Sequence, residues 1–358
     1  GVLCRYGGDE FTLLLPDTSL AQTQTIVKKI QLCFQHFFKL KDLIVDMTAS
    51  IGVAIYPDAG TSAKLLLRHA NHAMHNAKNN GRNCISFHDI ESQQKYQHKL
   101  ELKERLKLAL EQEQLTVFYQ PIINIESNQI VKFEALVRWP DGDGGYISPG
   151  EFIPIAEEFG LIHLVGNFVL KQACMDLKSL HQHGFEHISF SINRSINEFF
   201  HYELEQQSIV STIKAAGLPY KSIIIEITES TAMSENRYAK EVLAQLKRKG
   251  IKIALDDFCT GYSSLNYLID YEVDIIKIDR SFINNISHNK HSQILTSTVI
   301  ELAAKLDIEV IAEGVENDQQ MAFLRQHDCR YIQGFYFSPA LPIADCQVLL
   351  AKNIGGIV

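Results

Sequence analysis

Two adjacent carboxylates, Asp256 and Asp257, stand where the alternating apolar run Ile251, Ile253 and Leu255 gives out, and a turn with Gly261, Ser263 and Ser264 follows. Two acids side by side at a strand end repel each other unless positive charge lies between them. A divalent metal pair meets that need, since hard cations take oxygen ligands and one carboxylate can bridge two of them. For the dipeptide alone, an Asp that merely opens a turn is the plainer reading. The pattern recurs, however. Other strand-length apolar runs end on Glu134 and Arg138, on Asn193, on Glu226 and Glu229, on Lys277 and Asp279, on Glu313 and Glu316, and on Gln333. Acids, amides and a lysine at nearly every strand end point to a metal-binding, anion-handling site.

The elements that must position these groups alternate in type. Apolar runs at Val117–Ile123, Lys132–Trp139, Ile188–Asn193, Ile223–Ile227, Ile251–Leu255, Val273–Ile278, Ile308–Ala312 and Tyr331–Phe337 read as strands. Helical patterns fill most gaps, as at Gly150–His183, Met233–Lys249, Ser292–Lys305 and Asp318–Gln326. Strands alternating with helices in this way predict an α/β fold, a TIM-like (β/α)8 barrel, whose chemistry sits at the C-terminal strand ends. Upstream, Leu102, Leu106 and Leu110 recur at helical spacing within Ser92–Leu115, an amphipathic connector. Packing on the following domain is preferred for it over a coiled-coil dimer arm, because the heptad pattern is short. The expected domains are 1–91, a connector at 92–114, and 115–358.

A net charge of −8 over 358 residues, with no Lys/Arg-rich run, argues against a DNA or RNA polymer as partner. Seven cysteines without a CxxC pair fit a reducing, cytoplasmic setting. No apolar run is long enough to span a bilayer, although a membrane anchor in a longer parent protein stays open.

In the first ninety residues, Cys4–Pro16 reads as a hairpin about Gly7-Gly8, and Ser19–Phe38 as a helix. Met47–Tyr56 then reads as a strand, Leu65–Lys78 as a helix and Cys84–Phe87 as a strand. His69, His72 and His75 share one side of that second helix and read as surface histidines rather than a metal site. Gly7-Gly8-Asp9-Glu10-Phe11, Ser50–Ala54, Ala73-Met74, Ala77-Lys78 and Gly81-Arg82-Asn83 resemble the GGDEF domain of diguanylate cyclases. The resemblance covers the C-terminal half of that α+β domain, with Asn71 and His75 where the family has an aspartate and a tyrosine. It implies a partial domain that does not make cyclic di-GMP and leaves apolar strand faces uncovered.

The barrel segment resembles EAL phosphodiesterases. The resemblance rests on Glu134-Ala135-Leu136 with Arg138, Tyr119-Gln120-Pro121, Phe152–Glu157, Glu226–Ser230, Asp256-Asp257-Phe258, Lys277–Phe282, Ala312–Glu316 and Gln333-Gly334-Phe335. Family membership would imply a barrel whose first strand runs antiparallel, and hydrolysis of cyclic di-GMP to linear pGpG with two Mg²⁺ or Mn²⁺ ions. It would give Glu134, Asn193, Glu226 and Asp256 to one metal and Asp256, Asp257 and Glu313 to the other. Lys277 would lie by the attacking water and Arg138 by a ligand phosphate. Gln120, Asp279 and Gln333 would contact the ligand, and Glu229 would brace the loop Phe258–Ser264. A homodimer through the barrel is a further family expectation.

Two residues depart from the family pattern. Cys259 replaces a glycine in the DDFGTGYSS stretch, and a positive φ there would cost a cysteine about 1 kcal/mol. Arg194 replaces a leucine beside Asn193, with three courses open to it: pointing outward, adding a phosphate contact, or perturbing the metals. Neither change removes a ligand, so an active phosphodiesterase is expected. The rival is a non-catalytic cyclic di-GMP receptor.

Overall fold

The structure, a computed structural model, describes residues 1–34, 38–40, 43–45, 47–88, 90–195, 198–199, 202–229, 237–259, 268 and 271–353. The chain forms two compact units, Gly1–Glu101 and Leu102–Val358.

In the first unit β1 (Val2–Gly7) and β2 (Glu10–Leu14) make an antiparallel hairpin over Gly8-Asp9. Gly8 takes φ +55, a conformation suited to glycine, and the Arg5 guanidinium donates to its carbonyl at 2.7 Å. Helix α1 (Leu20–Cys33) starts in a capping box between Ser19 and Gln22. It stops short of the expected Phe38: Phe34 caps it, and Phe38–Leu40 (β3) instead pairs with Leu43–Val45 (β4), where aromatic and β-branched residues favour strand. The strand expected over Met47–Tyr56 contracts to β5 (Ile51–Val53). Helix α2 (Ala63–Asn79) crosses β5 so closely that a Cβ on Gly52 would lie 2.0 Å from the Ala70 carbonyl oxygen. Strand β6 (Ile85–Phe87) pairs with β5 in parallel.

The histidine reading needs correction. His75 is exposed, but His69 and His72 are buried. His69 stacks on His88 at 4.1 Å between ring centroids, and its Nδ1 lies 2.6 Å from the Ala59 carbonyl oxygen. Aromatic packing rather than solvation accounts for these rings.

Helix α3 (Ile90–Glu111) leads into the second unit, where Leu102, Leu106 and Ala109 are buried in the large core. There follow β7 (Thr116–Asn124), β8 (Gln129–Pro140), the short β9 (Tyr146–Ile147), α4 (Pro149–Glu158), α5 (Ile162–Gln182), β10 (Ser189–Asn193), α6 (Tyr202–Ala216) and β11 (Ile223–Thr228). Next come α7 (Arg237–Arg248), β12 (Lys252–Phe258), β13 (Ile275–Ile278), α8 (Arg280–Asn285), α9 (Lys290–Lys305), β14 (Glu309–Ala312), α10 (Asp318–Gln326), β15 (Tyr331–Ile332) and α11 (Ile343–Asn353). The sheet closes in the order β7-β8-β10-β11-β12-β13-β14-β15, with β9 added on β8. Strand β7 runs antiparallel to both neighbours, β8 and β15, and the other pairings of the ring are parallel. The expected barrel with an antiparallel first strand is therefore present.

Two expected elements differ in extent. The helix foreseen over Gly150–His183 is broken into α4 and α5 at Gly160, which has φ +71. The last strand ends at Ile332 rather than Phe337. Gly334 passes so near Val315 that a Cβ would sit 2.1 Å from its carbonyl oxygen, and the chain leaves the sheet there.

The barrel has two apolar layers. The larger lies between sheet and helices, and includes Phe133, Phe190, Leu177 and Ile276. The smaller plugs the interior: Ile122, Ile224, Ala254, Ile275 and Ile311, with Tyr331 against them. Side chains alternate along a strand, so a residue two positions away shares its face. Gln120, Glu226, Asp256, Lys277, Glu313 and Gln333 are each two positions from a member of this plug. The plug is the floor on which the polar groups stand.

Candidate active site

Lys277 organises the site. Its ammonium lies 2.6 Å from Glu313 Oε1, 3.0 Å from Glu226 Oε2, 3.3 Å from Glu134 Oε2 and 3.4 Å from Asp256 Oδ1. Its side chain is fully buried. Glu226, Asp256 and Lys277 stand near the C-terminal ends of β11, β12 and β13, Glu313 directly follows β14, and Glu134 lies midway along the long β8. Burying a lysine among carboxylates is tolerable only because each desolvated charge meets its opposite.

Glu134 is held on both oxygens. Asn193 Nδ2 donates to Oε1 at 2.7 Å, and Gln333 Nε2 donates to Oε2 at 2.6 Å. The Gln333 amide also donates to Gln120 Oε1 at 3.0 Å, and Gln120 Nε2 donates to the Ser338 carbonyl. Lys277, the four acids, Asn193, Gln333 and Gln120 thus form one connected array.

The electrostatics follow from burial. Glu226 is pushed up to about 8 by loss of water, with the Lys277 charge opposing and the Glu134 and Asp256 carboxylates adding to the rise. Burial likewise raises Asp256 and, further, Glu313, again against the pull of Lys277. Glu134 goes the other way: burial works against its charge, but Lys277 and the hydrogen bonds from Gln333 and Asn193 overcome it. Desolvation would lower Lys277, yet Asp256, Glu134, Glu226 and Glu313 together hold it well above the ordinary lysine value. Four acids against one ammonium leave an excess of negative charge that only further cations would fully ionise.

The donor set suits such cations. Oxygens of Glu134, Glu226 and Asp256 all lie within 4.8 Å of one another. Glu226 Oε1 is buried without a hydrogen-bond partner among the described residues. An amide that spends its N–H on Glu134, as Asn193 does, keeps its oxygen for a metal. An all-oxygen set of this kind fits hard divalent ions such as Mg²⁺ or Mn²⁺.

The remaining expected residues stand further out. Asp257 follows Asp256 within β12 rather than in a turn after it. At φ +56 it sits at the irregularity between Leu255 and Phe258 where pairing with β13 shifts register. Its N–H donates to Asp256 Oδ1 at 3.0 Å, and burial, then Asp256 and Asp279, raise its carboxyl. Asp279 caps α8 by accepting from the Ser281 N–H at 3.0 Å. Arg138 donates to the Val137 carbonyl, lies 5.6 Å from the Phe118 ring centre, and makes no ion pair among the described residues. Glu229 is buried, and the loop it is expected to brace falls mostly outside the described residues, which stop at Cys259. Cys259 adopts φ +74, so that position does take the left-handed conformation.

Residues 103–340 match the EAL domain family, and residues 1–84 match the diguanylate cyclase GGDEF domain. Among curated proteins, the chain is 34% identical over 349 residues to the cyclic di-GMP phosphodiesterase NbdA of Pseudomonas aeruginosa, covering 98% of this chain and 44% of that protein. It is 35% identical to the bifunctional diguanylate cyclase/cyclic di-GMP phosphodiesterase MucR of the same organism, covering 95% of this chain and 50% of the relative. The chain thus spans about half the length of the curated relatives it matches. Among solved structures, the PaMucR phosphodiesterase in complex with c-di-GMP superposes with a TM-score of 0.66 at 35% identity, over 69% of this chain and 99% of that one.

Proposed function

The chain belongs to the EAL domain family, and from that premise we propose that its barrel hydrolyses cyclic di-GMP to linear pGpG with the help of two divalent cations. The observation that carries this reading is the ring of Glu134, Glu226, Asp256 and Glu313 around Lys277, with Asn193 and Gln333 fixing Glu134. Glu134, Asn193, Glu226 and Asp256 would hold one ion, and Asp256, Asp257 and Glu313 the other. Bound there, the cations would acidify a water and neutralise the phosphodiester oxygens.

This chain's own residues do the rest. Lys277, kept protonated by its four acidic neighbours, offers a fixed positive charge that orients the attacking oxygen and favours its anionic form. The apolar plug beneath excludes water from below, which strengthens every charge interaction above it. Gln333, whose amide N–H groups are spent on Glu134 and Gln120, would offer its carbonyl oxygen to a guanine edge, Gln120 would add an amide, and the Asp279 carboxylate would accept from the ligand. The planar guanidinium of Arg138, which makes no ion pair among the described residues, is suited to a ligand phosphate. In this reading residues 115–358 are the catalytic domain, 92–114 the connector and 1–91 a regulatory segment. Among the described residues no helix is long and apolar enough to cross a membrane.

Chromatography of cyclic di-GMP incubated with the chain and Mn²⁺ or Mg²⁺ tests the reading. Conversion to pGpG, abolished both by EDTA and by Glu134→Ala, is the expected result. Tight binding of cyclic di-GMP without turnover would overturn it in favour of a receptor.

A further inference from the structure

Arg194 follows Asn193 at the end of β10, and strand alternation turns it to the opposite side of the sheet. Its guanidinium reaches Glu198 Oε2 at 2.9 Å, with the two side chains 0% and 1% exposed. The pair lies against α5 at Gly166, where a Cβ would come 2.2 Å from Glu198 Oε2 and 2.7 Å from Arg194 Nη1. The ion pair occupies the space a side chain at position 166 would fill, so a larger residue there would displace it. Of the three courses left open by the sequence, Arg194 therefore takes the outward one, away from the carboxylates.

The short segment around it is tied at further points. The Arg194 N–H donates to the Glu226 carbonyl at 2.8 Å, carrying the β10–β11 ladder one residue past Asn193. The Ser195 N–H donates to Glu198 Oε1 at 2.8 Å, and the Ser195 hydroxyl donates to Glu157 Oε1 at 2.6 Å. One face of this strand end holds Asn193 on Glu134, and the other holds Arg194 on Glu198. A buried charge pair is costly to form and costly to break singly, so it confers a defined geometry more readily than net stability.

We propose that Arg194 and Glu198 act as a buried clamp that positions Asn193, and that cation affinity at the carboxylate ring depends on this clamp. Arg194 and Glu198 are positioning residues here; neither touches substrate. The inference rests on the reading of the ring as a metal site.

The test is titration of Mn²⁺ into the full chain, followed by electron paramagnetic resonance or calorimetry, for the parent, R194L/E198Q and R194K. The double variant removes both charges together, so no uncompensated ion is left buried and the fold is retained. Its Mn²⁺ affinity is expected to fall about tenfold, in the range seen when groups supporting a metal ligand are changed. Turnover should fall through kcat with KM for cyclic di-GMP unchanged, and R194K should recover affinity to within about threefold of the parent. Mn²⁺ affinity within twofold of the parent in the double variant, whatever its melting temperature, would overturn the clamp while leaving the metal site intact. A double variant that fails to fold passes the decision to E198Q, where Mn²⁺ affinity within twofold of the parent equally overturns the clamp. A parent chain that binds no Mn²⁺ would overturn the reading of the ring, and the clamp with it.

Discussion

The two units carry acid-rich motifs of similar length and treat them in opposite ways. In the hairpin, Asp9 sits in an open turn, and Val2, Leu3, Tyr6, Phe11 and Leu14 beside it are all more than half exposed. In the barrel, Glu134 and Glu226 are buried, Asp256 is nearly so, and every one of them meets Lys277. A carboxylate withdrawn from water must find a counter-charge, a proton or a metal, whereas one left in the solvent is under no such demand. Burial, rather than the presence of acids, turns a motif into a chemical site.

The sharpest way to break this contrast is to remove one acid from each unit. Glu134→Ala should lower cyclic di-GMP turnover by about 10³-fold or more, since it takes away a metal ligand and the anchor of two amides. Asp9→Ala should change turnover less than about twofold, because an exposed turn carboxylate supports nothing buried. Equal losses from both variants, measured by pGpG release, would end the comparison. Lys277→Met should cost about 10²- to 10³-fold in kcat, the range for a preorganised charge at a reacting centre. It should also make the metal-free protein less stable, since four acids then lose their common counter-charge. Saturating Mn²⁺ should restore much of that stability, as a shift in melting temperature would show.

How much of this was legible in the sequence depended on the range of the interaction. The strand ends carrying Asn193, Glu226, Asp256, Lys277, Glu313 and Gln333 were readable because alternation along each strand is local, whereas Glu134 falls midway along β8 rather than at its end. The positive φ at Cys259 was readable too, through the glycine expected there. That Lys277 pairs directly with four of the acids, rather than only sharing their site, was not readable. It depends on barrel closure, which joins β13 to partners up to 143 residues earlier in sequence (277 − 134). The break at Gly160 and the early end of β15 were missed because both follow from close backbone approach or turn geometry, which hydrophobic pattern does not record. The Arg194–Glu198 pair had a faint signal, opposite charges four residues apart, but nothing showed it buried.

A milder sharpening uses Cys259. Glycine at φ +74 avoids the steric cost borne by a side chain, so Cys259→Gly should stabilise the chain by up to about 1 kcal/mol, less the entropy a glycine adds to the unfolded state. Urea unfolding measures it, and a loss of stability would mean that the thiol makes contacts worth more than the strain.

The smallest expected effect sits in the hairpin. Phe11 is 63% exposed while Phe190 in the barrel is 0% exposed, so the same residue type meets opposite surroundings. Phe190→Ala should cost about 3–5 kcal/mol, the sum of lost transfer energy and the cavity left behind. Phe11→Ser should cost less than about 0.5 kcal/mol, because little surface returns to water that was not already wet. Separate unfolding transitions for the two units would allow each value to be read on its own unit. A cost above 1 kcal/mol for Phe11→Ser would show that the hairpin face is covered in solution, and burial would then no longer divide the two motifs.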